Sequence, residues 1–205
     1  MDRKRIGIIG AGFMGRSYAQ IVDRHHMAEL ACVVDVSAEA ATSAVEGTGA
    51  LAVTTAAEMF DKVNVDGIII ATPEHTHREP TVAALERGIG VLVEKPISST
   101  IEDAQAMIDA ADASGATLMV GHVLRFDARY VAVQEAVNNG QIGTPLTAYA
   151  RRLNNTGSPK RLGGRVSLPL FLGVHDYDIM RWTLGSGDHF SYRPNEKRIP
   201  AESGI

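Results

Sequence analysis

The run Ile6-Gly7-Ile8-Ile9-Gly10-Ala11-Gly12-Phe13-Met14-Gly15 constrains this chain more than any other stretch. An apolar strand pattern breaks into Gly-x-Gly-x-x-Gly and then into a helical pattern. Strand, tight turn and helix start, in that order, build a seat for a pyrophosphate. Gly10 permits the turn. Gly12 lets the backbone approach an anion without a side chain in the way, and Gly15 lets the helix pack close to the strand. Phe13 and Met14 open the helix, where free N–H groups and the positive end of its dipole face the ligand. A glycine turn by itself is weak evidence, so its context decides.

That context is an alternation of strand and helix patterns, which predicts a parallel sheet covered on both faces. Strands are expected at Lys4 to Gly10, Leu30 to Asp35, Leu51 to Val53, Asp66 to Ala71, Ile89 to Val93 and Ala116 to Gly121. Helices are expected from Phe13 to Arg24, from Ser37 as N-cap to Gly47, and from Thr76 to Arg87, with Pro80 confining the regular part to the residues after it. Another runs from Thr100 to Ser114, with Ile101, Ala104, Met107, Ile108 and Ala111 on one face. Six strands in this span make a complete dinucleotide-binding unit. The fold class is therefore α/β, a Rossmann-type doubly wound parallel sheet over residues 1–122.

Residues 123–205 read differently, as a linker helix and an incomplete α+β domain. Asp127 to Asn139 forms the connecting helix, Leu146 to Leu153 a strand, Asn154 to Arg165 a loop, and Asp176 to Leu184 a short helix. Ser186 to Ile205 shows no strong period.

Composition narrows the function classes. A net charge of −4 is too mild for a nucleic-acid or membrane-surface partner. The single cysteine, Cys32, excludes an internal disulfide and a cysteine metal cluster, and reads as a small buried residue. No apolar run approaches the roughly 20 residues of a membrane span. Asp2-Arg3-Lys4-Arg5 before the apolar run has the charge pattern of a secretion signal, but the glycines and the lack of a cleavage site argue for the cytoplasm.

Asp35 ends the second strand, 20 residues after Gly15, where an acid binds adenosine ribose hydroxyls. An acid there repels a 2′-phosphate, and Val36-Ser37 offers no positive charge, so NAD is favoured over NADP. Thr72 and Pro73 stand at the end of the fourth strand beside Glu74-His75-Thr76-His77, on the edge where ligands of open α/β sheets bind. No metal-ligand spacing appears there, and no metal is expected. Glu94-Lys95-Pro96 follows the fifth strand on the same edge, where the nicotinamide end would lie. A lysine with a burial-lowered pKa can bind a substrate hydroxyl and exchange its proton. Pro96 invites a cis peptide that aims Lys95 inward.

With these residues in view, the chain resembles the Gfo/Idh/MocA oxidoreductases, named for glucose–fructose oxidoreductase and inositol dehydrogenase. The resemblance rests on Gly10-Ala11-Gly12-Phe13-Met14-Gly15, Asp35, Ala71-Thr72-Pro73 with His77, Glu94-Lys95-Pro96, Gly121-His122-Val123-Leu124-Arg125-Phe126 and Gly173-Val174-His175-Asp176-Tyr177-Asp178. It implies an NAD(P)-dependent dehydrogenase or reductase of sugars, polyols or related compounds. It implies Lys95 and His175 as catalytic residues. Gly10, Gly12, Phe13, Met14, Gly15, Asp35, Thr72, Pro73, His77, Glu94 and Lys95 are the expected cofactor contacts. A full-length form is expected to be a homo-oligomer.

Two departures stand out. Many members carry an aspartate four residues before the active-site histidine, and here that position is Phe171. Asp176 and Asp178 are candidates to replace it, although both also suit a helix start. The second domain is short, which predicts a truncated or frame-shifted product or a partial gene; the alternative function is a non-catalytic NAD-binding fragment or partner subunit. Between Glu135 and Asp176 no acid occurs, while Arg151, Arg152, Lys160, Arg161 and Arg165 do, a pattern that suits an anionic substrate or a solvated loop.

Overall fold

The computed structural model describes residues 2–153 and 167–185. Six strands form one sheet: β1 (Lys4–Ile9), β2 (Ala28–Val34), β3 (Leu51–Val53), β4 (Gly67–Ile70), β5 (Gly90–Val93) and β6 (Leu118–Val120). All neighbours pair in parallel, in the order β3-β2-β1-β4-β5-β6. The order reverses between β1 and β4, and that crevice at the strand carboxyl ends is where such sheets bind ligands. The doubly wound α/β class is as expected.

The helices are α1 (Phe13–Arg24), α2 (Ala38–Ala44), α3 (Ala56–Lys62), α4 (Arg78–Leu85), α5 (Ile101–Ser114), α6 (Ala128–Asn138) and α7 (Val174–Leu184). Successive strand residues face opposite sides. Ile8 therefore packs with Ala19, Val22, Leu30 and Val33 under α1 and α2. Ile9 packs with Cys32, Met59, Ile70, Leu85 and Val93 under α3 and α4. Each such side chain, fully withdrawn from water, contributes on the order of 2 kcal/mol.

The caps follow the sequence. Ser37 accepts the Ala40 N–H, Thr100 accepts the Asp103 N–H, and Asp127 accepts the Arg129 N–H. Helix α3 has no counterpart among the sequence expectations. Its signature is Thr55, which accepts the Glu58 N–H, with Glu58 reaching back to the Thr54 N–H. It is seven residues long, too short for its apolar period to stand out.

Four expectations are corrected. Leu146 to Leu153 is not a strand. Among the described residues no strand lies beside it, so its backbone has no ladder to join, and Leu146, Tyr149 and Leu153 are exposed. Helix α4 begins two residues before Pro80 rather than after it, because first-turn N–H groups have no intrahelical acceptor and a missing one costs nothing. On α5 only Met107 is fully buried while Ile101 is 81 % exposed, so the packed stripe is rotated away from the helix start. Helix α7 starts at Val174, after a π-helical turn at Pro169–Gly173, so His175 lies within the helix instead of ahead of it. The loop expected over residues 154–165 and the aperiodic tail from 186 lie outside the described residues.

Candidate functional site

The turn between β1 and α1 is built as its glycines require. Gly10 has φ +102°, a region that L side chains rarely adopt, and a Cβ there would lie 2.7 Å from the Ala71 carbonyl oxygen. A Cβ on Gly15 would sit 1.7 Å from the Gly10 carbonyl oxygen. A Cβ on Gly12 would meet nothing within 4 Å, so it would project into the open space that a ligand's phosphates need. Gly12 caps α1 without a side-chain bond, and no acid occupies the first turn. The Phe13 and Met14 amides thus stand at a bare helix N-terminus.

Asp35 is anchored by that same turn. Its Oδ2 accepts the Ala11 N–H at 2.7 Å and its Oδ1 accepts the Ser37 N–H at 2.9 Å. Each oxygen keeps lone-pair capacity for a hydroxyl donor, and the two amides fix its direction. A cleft of about 740 Å³ opens beside it, lined by Gly10, Gly12, Asp35, Thr55, Thr72 and Pro73 among others. Arg87 and Phe60 also line it, the guanidinium stacking over the ring at 4.4 Å from its centre. The Thr72 hydroxyl is buried with no partner, a polar atom held in reserve on the cleft wall. These features fit a dinucleotide: room at the glycine turn, bare amides for the pyrophosphate, and a fixed acid for a ribose.

His77 stands behind this edge rather than on it. It is 1 % exposed, and its Nδ1 and Nε2 lie 3.0 and 2.9 Å from the Ile97 and Thr72 carbonyl oxygens. Its ring braces the loops that carry Thr72 and the Lys95 segment and has no surface left for a ligand. Thr76 likewise does not cap α4; its hydroxyl donates to the Pro73 carbonyl.

At the end of β5, Glu94 is buried and Lys95 is partly buried; the Lys95–Pro96 peptide is cis. Burial lowers the Lys95 pKa, opposed by the negative charges of Glu94 and Glu74. The Lys95 ammonium lies 5.5 Å from the centre of the Phe171 ring, on its face. The aromatic residue that stands where an acid was expected thus touches the lysine through its π-face. Helix α7 brings His175 into the field of Lys95, Arg152, Asp176 and His122. The Nδ1 atoms of both His175 and His122 are buried and unpartnered.

The acids of α7 are committed elsewhere. Asp176 accepts two bonds from the Arg152 guanidinium, at 3.0 and 2.8 Å, and does not cap the helix. Asp178 takes both arms of Arg125 and stands 3.6 Å from His122 Nε2. Neither carboxylate therefore takes the place of the missing acid on His175. Arg152 is likewise no free anion-binding group; Arg151 is exposed, and Lys160, Arg161 and Arg165 lie outside the described residues. Among the described residues no three His, Cys, Asp or Glu side chains converge on a metal position.

Burial, reinforced by Lys95 and Arg152, pushes the His175 pKa down to about 4. His175 is then neutral at pH 7. Its folded value lies below the ordinary value near 6.5, so the unfolded chain binds the extra proton between the two. Stability from this group is complete above pH 6.5 and falls as pH drops toward 4. Thermal unfolding followed over that window should show His175→Gln losing less stability than wild type. Equal slopes would mean that His175 is not held neutral.

Two residues of this centre were not anticipated. His122 follows β6 in a stretch read only as part of a motif. Tyr18 lies one turn beyond Gly15 on the inner side of α1; a tyrosine at a helical core spacing carries no signal of a polar partner.

Residues 4–122 match the model of an oxidoreductase family with an NAD-binding Rossmann fold, Gfo/Idh/MocA. Inositol 2-dehydrogenase 3 of Saccharopolyspora erythraea is 34% identical over 182 residues, 88% of this chain and 53% of that protein. A 1,5-anhydro-D-fructose reductase of Ensifer adhaerens is 34% identical over 189 residues, 88% of this chain and 56% of that one. The solved scyllo-inositol dehydrogenase of Lactobacillus casei, with bound NAD(H) and scyllo-inositol, superimposes with TM-score 0.80 at 24% identity, over 90% of this chain and 57% of that one. The chain spans about half the length of the curated relatives it matches.

Proposed function

The chain belongs to the Gfo/Idh/MocA oxidoreductases, a family with an NAD-binding Rossmann fold, and we propose that it transfers a hydride between NAD and a hydroxyl or carbonyl carbon of a sugar, polyol or related compound. The observation that carries this reading is the meeting of Lys95, His122 and His175 at the sheet edge that also holds the glycine turn and Asp35. The names of the relatives, inositol dehydrogenases and an anhydrofructose reductase, support a cyclic polyol or sugar as substrate class.

In the turn that Gly10 and Gly15 shape, Gly12, Phe13 and Met14 would hold the pyrophosphate; Asp35 would hold a ribose, and Thr72, Pro73 and Glu94 would border the nicotinamide side. When bound, NAD supplies the hydride acceptor. Lys95, more easily deprotonated because burial disfavours its charged form, holds the substrate oxygen and takes its proton in oxidation; in reduction the ammonium returns that proton. His175, neutral at pH 7, orients the same oxygen by hydrogen bonding. His77 supports Thr72 from behind.

The test is an assay of nicotinamide reduction with inositols and aldoses, run in both directions. Turnover of at least one cyclic polyol or sugar is expected. Binding of NAD with no turnover across the panel would overturn the reading. Asp35→Ala is expected to weaken NAD by roughly 10- to 100-fold, the value of charged hydrogen bonds, and to narrow the gap to NADP. Parallel calorimetric titrations measure it; an unchanged NAD affinity would remove Asp35 from the site.

We take residues 1–122 as the dinucleotide-binding unit, supported by the reach of the family match. Among the described residues no helix is long and apolar enough to cross a membrane. We assign the chain to the cytoplasm on its one cysteine, Cys32, a buried free thiol. The exposed Leu146, Tyr149 and Leu153 support a homo-oligomer for the full-length form.

A further inference from the structure

We propose that Tyr18 is a positioning residue for Lys95, acting through the Glu94 carboxylate, and so ties the phosphate-side helix α1 to the proton-carrying amine. The inference rests on the reading that Lys95 handles the substrate proton. The Tyr18 hydroxyl donates to Glu94 Oε1 at 2.6 Å. The other carboxylate oxygen, Oε2, accepts the backbone N–H of Lys95 at 3.0 Å. Glu94 is 7 % exposed, and a buried anion is tolerated only where donors satisfy it. Both oxygens are thereby pinned, and the carboxylate cannot turn away from Lys95.

Gly121 makes the room. A Cβ there would lie 3.4 Å from Glu94 Oε1, at the near edge of ordinary contact, so Gly121 packs directly against the carboxylate. Burial, followed by the bond to Glu94, holds the Tyr18 phenol well above its usual range, so it remains a donor at any working pH. Around Lys95 the negative charges are Glu94 and Glu74. Facing it from other elements are His122, His175 and the Phe171 ring. Glu94 opposes burial more strongly than Glu74 does, so its orientation sets how far the Lys95 pKa falls. Without the Tyr18 hydroxyl the carboxylate loses one of its two fixed donors, its charge is less well held beside the amine, and the Lys95 pKa drops further.

The experiment is reductive ¹³C-methylation of the full chain and an NMR pH titration of the Lys95 signal, assigned by its loss in Lys95→Arg. Neither cofactor nor substrate is needed, so the result stands whether or not the chain turns over. Tyr18→Phe keeps the ring packing and removes only the hydroxyl. The Lys95 midpoint is expected to fall by roughly half a unit to one unit, the equivalent of one net hydrogen bond. In a Glu94→Gln background, Tyr18→Phe is expected to have no further effect, because its route to Lys95 is gone. An unchanged midpoint in Tyr18→Phe, or an equal shift with Glu94→Gln present, would overturn the proposal.

Discussion

Lys95→Ala is expected to lower kcat/KM by about 10²- to 10⁴-fold while NAD still binds, the range for loss of a positioned acid–base group. That corresponds to roughly 3–5 kcal/mol of transition-state stabilisation. The position explains the size. Lys95 leaves β5 at the sheet edge, burial lowers its pKa, and Glu94 and Glu74 keep it from falling too far. Lys95→Arg separates charge from proton transfer. A guanidinium keeps the positive charge beside Glu94 but does not deprotonate in a protein. It should be nearly as slow as alanine. Steady-state kinetics on the best polyol of the panel, with NAD binding measured alongside, decides the matter. Full turnover in either variant would remove Lys95 from the chemistry.

The second large effect falls on the glycine turn. Gly15→Ala places a Cβ 1.7 Å from the Gly10 carbonyl oxygen, a backbone atom, so no flexible side chain can yield. Either α1 moves off β1 or the turn opens. The stability loss is expected to reach about 3 kcal/mol, the upper part of the overpacking range, and NAD binding should disappear with it. Gly12→Ala is the contrasting variant. Its Cβ enters open space, so the fold should keep its thermal midpoint while the cofactor's phosphates lose their seat. Chemical denaturation and calorimetry on the pair separate the two roles. Gly15→Ala with wild-type stability would contradict the described turn.

Much of the nucleotide half was legible in the sequence because its signals are local. The glycine turn, the acid at the end of β2 and the Glu94-Lys95-Pro96 run each sit within a few residues of a strand end, and chain order alone puts strand ends on one edge. Side-chain partners were not legible in that way. Tyr18 and Glu94 lie 76 residues apart and meet only once α1 packs on the sheet. His77 is a cofactor contact by the resemblance; only the fold shows its ring buried between the Ile97 and Thr72 carbonyl oxygens. Asp176 does stand in the first turn of α7, as its place in the sequence suggested, but only the fold shows that Arg152 takes its carboxylate. The apolar alternation of Leu146 to Leu153 reads as a strand, but a strand needs a neighbour, and no periodicity can supply one.

The proposed hydride transfer depends on an NAD site built from the β1–α1 glycine turn and Asp35. Calorimetric titration of the wild-type chain with NAD and then with NADP probes that site without any substrate. Saturable one-to-one binding of NAD is expected, with NADP weaker by about tenfold or more because a 2′-phosphate meets the Asp35 carboxylate. Absence of NAD binding by the folded chain, or equal affinity for the two cofactors, would contradict it.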